Sequence, residues 1–228
     1  MIDMHSHCLP ALDDGAKDVK TALLMLEDAK KQGCDAVIAT PHCKVYSEEE
    51  LNCAVEARDK SYELLIAEGK NQNAVIPEIK KGFEVYLDKD ITVFSSYEKL
   101  CIEGTKAMLI EMPMRHWDSL ALGRIEVLKE KGITPILAHI ERYMSYGRNI
   151  EKALMLEGVV YQVNADAFFG WHRKKLIKKL VKMGKTVVVG SDMHNLTTRK
   201  SRIFEAYKKA VRKNKSYSTL FNTDITLL

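Results

Sequence analysis

Two histidines one apart, His5 and His7, close an apolar opening run, and Asp192-Met193-His194 repeats the spacing after another apolar run near the far end. In an extended strand residues i and i+2 point to the same side, so each pair aims two ligand-type side chains at one place. Such pairs at both ends of a chain predict a metal site built by bringing distant strand ends together. Other strand-like runs end in the same chemistry: His42 after Thr40-Pro41, Glu84, Glu111 and His139, with Asp14 in the loop Asp13-Asp14-Gly15. Glu111 stands inside the apolar stretch Leu109-Ile110-Glu111-Met112, where an unpaired carboxylate is costly to bury and calls for a cation.

His5, His7, Asp14, His42, Glu84, Glu111, His139, Asp192 and His194 are thus candidate metal ligands. Read singly, His42 or His139 fits an ordinary rim histidine, and Asp13-Asp14-Gly15 fits a turn. His116 and His172 have no second ligand nearby in sequence and are read as surface residues. Taken together, imidazoles and carboxylates without thiolate suit Mn, Fe or Zn. The set is too large for one ion and suits two or three. Four carboxylates against the six positive charges of three divalent ions leave an excess of about two, enough to attract a phosphate dianion. Such a cluster can lower the pKa of a bound water and hold phosphate-ester oxygens for in-line attack.

The elements that position these residues alternate along the chain. Strand candidates are Ile2–His7, Ala36–Thr40, Gly82–Tyr86, Met108–Met112, Pro135–His139, Val159–Asn164 and Thr186–Ser191. Asp18 reads as the N-cap of a helix over Val19–Lys31 that stops at Gly33. Ser47 with Glu50 forms a capping box for a helix reaching about Glu68, and further helices end at Gly132, Gly158 and Gly184. Lys70–Glu78 and Thr92–Gly104 show no regular pattern. Seven βα units without a composition break predict one α/β domain over 1–228 with a parallel sheet. Closed, that sheet makes a (β/α)7 relative of the TIM barrel; an open doubly wound sheet is the alternative. In a parallel barrel the C-terminal strand ends share one rim, where active sites form.

Composition narrows the function classes. Of 228 residues, 46% are hydrophobic and 29% charged, as in an ordinary soluble globular protein. A net charge of +4 without a long Lys/Arg block gives no reason to expect nucleic acid. Apolar runs are too short to insert in a bilayer, and the opening residues read as a strand rather than a signal peptide. Cys8, Cys34, Cys43, Cys53 and Cys101 are scattered, an odd number that suits free thiols in a reducing cytoplasm. None starts the Cys-x5-Arg loop of a thiol phosphatase, since Cys53 is one residue too close to Arg58.

Met1-Ile2-Asp3-Met4-His5-Ser6-His7, Thr40-Pro41-His42, Gly82-Phe83-Glu84, Ile110-Glu111-Met112-Pro113, Ala138-His139-x-Glu141-Arg142-Tyr143 and Ser191-Asp192-x-His194-Asn195 together resemble the PHP (polymerase and histidinol phosphatase) superfamily. More narrowly they look like its capsule-biosynthesis tyrosine phosphatase branch, CpsB/CapC-like, from residue 1 to about 210. The resemblance implies a distorted (β/α)7 barrel with a trinuclear centre. In it His5, His7, Glu84 and Asp192 hold one ion, and Glu84 bridges to a second completed by Glu111 and His139. Asp14, His42 and His194 hold the third. It further implies manganese-stimulated hydrolysis of phosphotyrosine on the tail of a membrane-associated bacterial tyrosine kinase controlling polysaccharide synthesis. Arg142 matches the family's Glu-Arg-Tyr arginine and Arg199 another that lies near the phosphate, and both are expected to orient phosphoryl oxygens. Asn222-Thr223 departs from the family's usual Asn-Pro, so the last segment is expected to pack differently.

The expected activity is therefore that of a cytoplasmic, metal-dependent protein-tyrosine phosphatase. An enzyme on small phosphate esters such as histidinol phosphate is the first rival. A metal-dependent scaffold for a kinase is the second. The sequence fixes neither the oligomeric state nor the native metal.

Overall fold

Nine short strands and six helices make up the framework of the computed structural model, which describes residues 1–223. The strands are β1 (Ile2–Ser6), β2 (Ala36–Ala39), β3 (His42–Cys43), β4 (Glu78–Lys81), β5 (Glu84–Tyr86), β6 (Ala107–Glu111), β7 (Thr134–Leu137), β8 (Val160–Asn164) and β9 (Val187–Gly190). The helices are α1 (Val19–Lys31), α2 (Glu48–Asn71), α3 (Ser119–Glu130), α4 (Asn149–Met155), α5 (Trp171–Lys182) and α6 (Ile203–Lys213). Every strand pair is parallel.

The capping signals act as their chemistry dictates. Asp18 accepts a hydrogen bond from Thr21 N–H at the head of α1, and Ser47 Oγ accepts from Glu50 N–H at the head of α2. The Glu50 carboxylate accepts from Tyr46 N–H rather than from Ser47, so only half of the capping box forms. Gly132 and Gly184, at φ +78° and +70°, follow α3 and α5 in the left-handed conformation that a C′ position requires. α2 runs to Asn71, beyond the expected end at Glu68.

The closed seven-stranded barrel does not form. The strands make two open sheets, ordered β1-β2-β4 and β3-β5-β6-β7-β8-β9. The expected strands Ala36–Thr40 and Gly82–Tyr86 form as β2 and β5, and two further strands flank them: β3 after a break at Thr40-Pro41, and β4 before a break at Gly82-Phe83. Pro41 has no N–H to give a ladder, and Gly82 leaves the chain free to bend. At the other seam Asp192, at φ +53°, turns the chain out of the strand path. The Ser6–Met193 bridge, backbone hydrogen bonds from Asp192 N–H to His5 O and from His7 N–H to Met193 O, and bonds from Ser191 N–H to Asp3 Oδ1 and Ser191 Oγ–H to His5 O join β9's end to β1 without a regular ladder. Strand order is sequential without a reversal, so the doubly wound alternative is not formed either.

Strand alternation sorts the side chains. On one face Met4, Ile38, Leu109, Ile136, Val160 and Val188 pack into a small apolar cluster. The next residues on that face of β6, β8 and β9 are Glu111, Gln162 and Gly190, so an apolar floor gives way to a polar or open mouth at the C-terminal strand ends. The other face, with Val37, Met108, Ile110 and Val189, packs against the helices in the larger core. After α6 a 3-10 turn, Lys215–Phe221, returns Phe221 into that core against Phe168 and Tyr207. Among the described residues no helix is long and apolar enough to cross a membrane.

Candidate metal centre

All nine candidate ligands meet at the C-terminal strand ends. Three sets place one ligand atom from each member within 4.8 Å of the others: His7, Asp14, His42 and His194; His5, His7 and Glu84; His42, Glu84 and Glu111. His139 Nε2 lies 2.7 Å from Glu84 Oε1 and 3.7 Å from Glu111, and Asp192 Oδ1 is 3.5 Å from His7 Nε2 and 3.7 Å from His5 Nε2. Glu84 is the hub, within 3.2 Å of His5, His7, His42 and His139. The sets differ from the grouping implied by the resemblance: His42 and His7 each belong to two of them, and His139 and Asp192 stand beside the sets rather than in one.

The imidazoles are held from behind. His7 Nδ1–H donates to Asp13 Oδ2 at 2.6 Å, His5 Nδ1–H to Gln162 Oε1 at 3.2 Å, and His194 Nδ1–H to the Asp192 carbonyl at 3.0 Å. Each of these partners only accepts, which fixes the proton on Nδ1 and turns the Nε2 lone pair inward. His5 Nε2 and His7 Nε2 face each other at 3.0 Å, so two lone pairs converge on one place. Glu84 Oε2 and His194 Nε2 are buried without an aligned hydrogen bond, although both have polar atoms near them. Inward-facing nitrogen and carboxylate atoms, orphaned and crowded, fit divalent cations.

The charges say the same. Burial opposes protonation of His5, but the carboxylates of Glu84 and Asp192 outweigh it and raise its pKa to about 9. Burial would also raise Glu84; the charge on His5 and hydrogen bonds from His139, His42 and His5 hold it well below the usual carboxylate range. Glu111 is raised, first by burial and then by the charge of Glu84 beside it. Burial and the charge of His7 push His194 down to about 4. Without a cation, protons must be shared unequally among groups of like charge. Positive charge from an ion relieves that arrangement.

Sequence reasoning missed the supports. Asp13, read as a turn residue, also accepts from His42 N–H and Gly15 N–H, and these bonds and His7 overcome its burial to hold it at about 2. Gln162 accepts from His139 N–H as well as His5, then donates to Asn164, which donates to Asp192 Oδ2. The readable signal was two amides, Gln162 and Asn164, at alternate positions of an otherwise apolar strand. His139 and Asp192 adopt φ of +31° and +53°, a strained region for non-glycine residues that their bonded surroundings maintain. His116 and His172 lie outside the cluster.

The cluster has a closed side and an open side. His5, His7, Glu84 and His139 are buried, whereas His42, Asp14 and the two arginines are partly exposed. Arg142 donates to Asp192, and Arg199 reaches Asp192 at 3.1 Å and Asp14 at 3.3 Å. The four buried thiols are no rival chemistry: burial raises Cys8 and Cys43 to about 12 and Cys101 to about 11, and also raises Cys34. Cys53 sits on the exposed side of α2.

Two glycines let the backbone approach the cluster. A Cβ on Gly190 would lie 2.5 Å from His5 Cβ and 2.9 Å from His5 N; one on Gly15 would lie 2.2 Å from His7 O. Gly190→Ala is expected to destabilise the protein by about 1–3 kcal/mol, the usual cost of overpacking a tight site. Urea unfolding measures it. A change below about 0.5 kcal/mol, the scatter of ordinary surface substitutions, would show that β1 gives way freely there.

A family model for capsular polysaccharide synthesis, CpsB/CapC, matches residues 1–224. The tyrosine-protein phosphatase YwqE of Bacillus subtilis is 34% identical over 215 residues, 90% of this chain and 82% of the relative. The tyrosine-protein phosphatase CpsB of Streptococcus agalactiae serotype III is 30% identical over 222 residues, 91% of this chain and 88% of the relative. A chain from the crystal structures of YwqE from Bacillus subtilis and CpsB from Streptococcus pneumoniae, described as unique metal-dependent tyrosine phosphatases, superposes with a TM-score of 0.76 at 28% identity. That match covers 98% of this chain and 95% of the other.

Proposed function

The chain belongs to the capsular polysaccharide synthesis CpsB/CapC family, and from that premise we propose that it is a metal-dependent protein-tyrosine phosphatase whose reaction centre is the cluster at the strand ends. The observation that carries this reading is the convergence of inward-facing imidazoles and carboxylates beneath an open lip bearing two arginines. Its substrate is phosphotyrosine on the tail of a bacterial tyrosine kinase at the membrane, with residues 1–228 acting as one cytoplasmic domain.

His5, His7, Asp14, His42, Glu84, Glu111, His139, Asp192 and His194 would hold two or three divalent ions, with manganese the first choice by family resemblance. When bound, such ions supply Lewis acidity and positive charge to phosphoryl oxygens. The chain's own groups do the rest. Asp13 and Gln162 keep the Nδ1 protons of His7 and His5 in place, so that neither ring turns its lone pair away. Arg142 and Arg199, each about one-third exposed and anchored to the carboxylates of the cluster, keep further N–H groups free to orient phosphoryl oxygens. A phenolate whose conjugate acid has a pKa of about 10 leaves with only modest acid assistance. The exposed Asp14–His42 side gives access to a tyrosine carried on a peptide.

After reconstitution with manganese, the protein is expected to hydrolyse phosphotyrosine peptides well in preference to phosphoserine peptides or histidinol phosphate. Faster turnover of histidinol phosphate would move the reading to small-molecule esters. No turnover of any ester by ion-loaded protein would leave a kinase scaffold. A strong chelator should abolish activity and thiol alkylation should leave it largely intact, because burial keeps Cys8, Cys43 and Cys101 protonated at neutral pH. Loss of turnover in a single Cys→Ser variant that keeps its fold and ions would overturn this mechanism.

A further inference from the structure

α5 carries Arg173, Lys174, Lys175, Lys178, Lys179 and Lys182 and no acidic residue. Six positive charges on one helix exceed the +4 of the whole chain, so the rest of the protein is net acidic. Across a small cavity that both helices line, α6 adds Lys208, Lys209, Arg212 and Lys213, and its one carboxylate, Glu205, is held by Arg202 at 2.7 Å. Lys174, Lys178, Lys209 and Lys213 line one small cavity between the helices. Among the described residues none of these four pairs with a carboxylate, and desolvation together with the charges of its lysine neighbours lowers the pKa of Lys174. Nothing within the described fold compensates this charge.

Large apolar groups lie among the cations. Leu176, Ile177 and Leu180 turn inward, which leaves Trp171, Lys175, Lys178 and Lys182 on the outward stripe of α5 at i, i+4, i+7 and i+11. Trp171 is 62% exposed, with the Lys175 ammonium 3.5 Å from its ring centre. Phe204 at the head of α6 is 41% exposed beneath Lys208, and Met183 just beyond α5 is 47% exposed. Beyond the four lysines at that cavity, Lys175, Lys179, Lys182 and Lys208 are exposed along both helices, a broader charged surface than one bound peptide covers. Amphipathic tryptophan and long-stemmed lysines side by side suit the interface of an anionic bilayer, where rings enter the headgroup layer and ammonium groups meet phosphates.

We propose that the α5/α6 face docks the protein on an anionic phospholipid surface, with Trp171 in the interfacial layer and the lysines of both helices on lipid headgroups. None of these residues belongs to the metal cluster, so docking stands or falls apart from the proposed chemistry. Each lysine near such a surface strengthens partition by about fivefold, and the effect is screened by salt.

The test is co-sedimentation of the full chain with phosphatidylcholine vesicles, with and without phosphatidylglycerol, together with tryptophan emission. Trp117 is fully buried, so a blue shift on binding reports Trp171. Binding is expected to the anionic vesicles alone, with a blue shift, and to weaken about tenfold or more as salt rises well above about 0.15 M. Lys175→Glu with Lys178→Glu and Lys182→Glu, all exposed positions, should weaken it at least about tenfold and leave turnover of a short phosphotyrosine peptide unchanged. Equal binding to neutral vesicles, an unshifted emission, or full binding by the triple variant would overturn the proposal. So would capture of polyglutamate by this face without vesicle binding, which would assign it to an acidic protein.

Discussion

Glu84→Gln is expected to cut kcat/KM toward a phosphotyrosine peptide by roughly a thousandfold or more, and to lower the divalent-ion content of the reconstituted protein, the several kcal/mol that loss of a metal ligand removes. The size follows from where the carboxylate stands. Glu84 belongs to two of the three sets that could hold an ion and lies within 3.2 Å of four imidazoles. Glutamine keeps the volume but replaces an anionic oxygen with an N–H donor, in a place where His5 and His7 already turn their own nitrogens toward each other. The neighbouring carboxylates are committed elsewhere: Asp192 is held by Arg142 and Arg199, and Glu111 stands only partly buried at the far edge of the set. Metal analysis and circular dichroism on the same sample separate loss of ions from loss of fold. A variant that keeps its full ion content and stays within tenfold of wild-type activity would remove Glu84 from the centre.

The candidate site was more legible than the sheet that carries it. Ligand-type residues stand at strand ends, and a period of two is enough to align them, so His5 with His7 and Asp192 with His194 could be paired from spacing alone. The breaks were not legible. Glu78-Ile79-Lys80-Lys81 carries one apolar residue in four and does not read as a strand, yet it pairs with β2 over its whole length because backbone hydrogen bonds need no particular side chain. The breaks at Pro41 and Gly82 then set β3 apart from β2 and β4 apart from β5, each in the other sheet from its neighbour in sequence, which neither hydrophobic pattern nor length records. Gln162 was overlooked for a related reason. It is no ligand type, and its value lies in accepting two hydrogen bonds at once, from His5 and from the backbone of the strained His139, a relation set by tertiary placement. Burial also decided between the sulfur and the metal readings: spacing removed the thiol-phosphatase loop, and the enclosure of Cys8 and Cys43 beside the ligands removes their thiolates.

Arg142→Ala and Arg199→Ala are each expected to lower kcat/KM by about thirty- to a thousandfold, or roughly 2–4 kcal/mol of transition-state stabilisation, with ion content unchanged. Both guanidinium groups stand on the open side of the cluster and bond to Asp192; Arg199 also reaches Asp14. Holding carboxylates is one role these contacts allow. If it were the whole role, removing either arginine would strip neutralising charge from Asp192 and change ion content, while phosphate recognition would survive. If the arginines grip phosphoryl oxygens, the loss falls on turnover and KM while the ions stay. Lysine should rescue only in part, because a single ammonium cannot reproduce the planar fork that holds a carboxylate on one side and a phosphate oxygen on the other. The two variants should also be less than additive in combination, since both side chains share Asp192 and the same phosphoryl group. Activity of both single variants within threefold of wild type would leave the arginines as partners of the carboxylates alone.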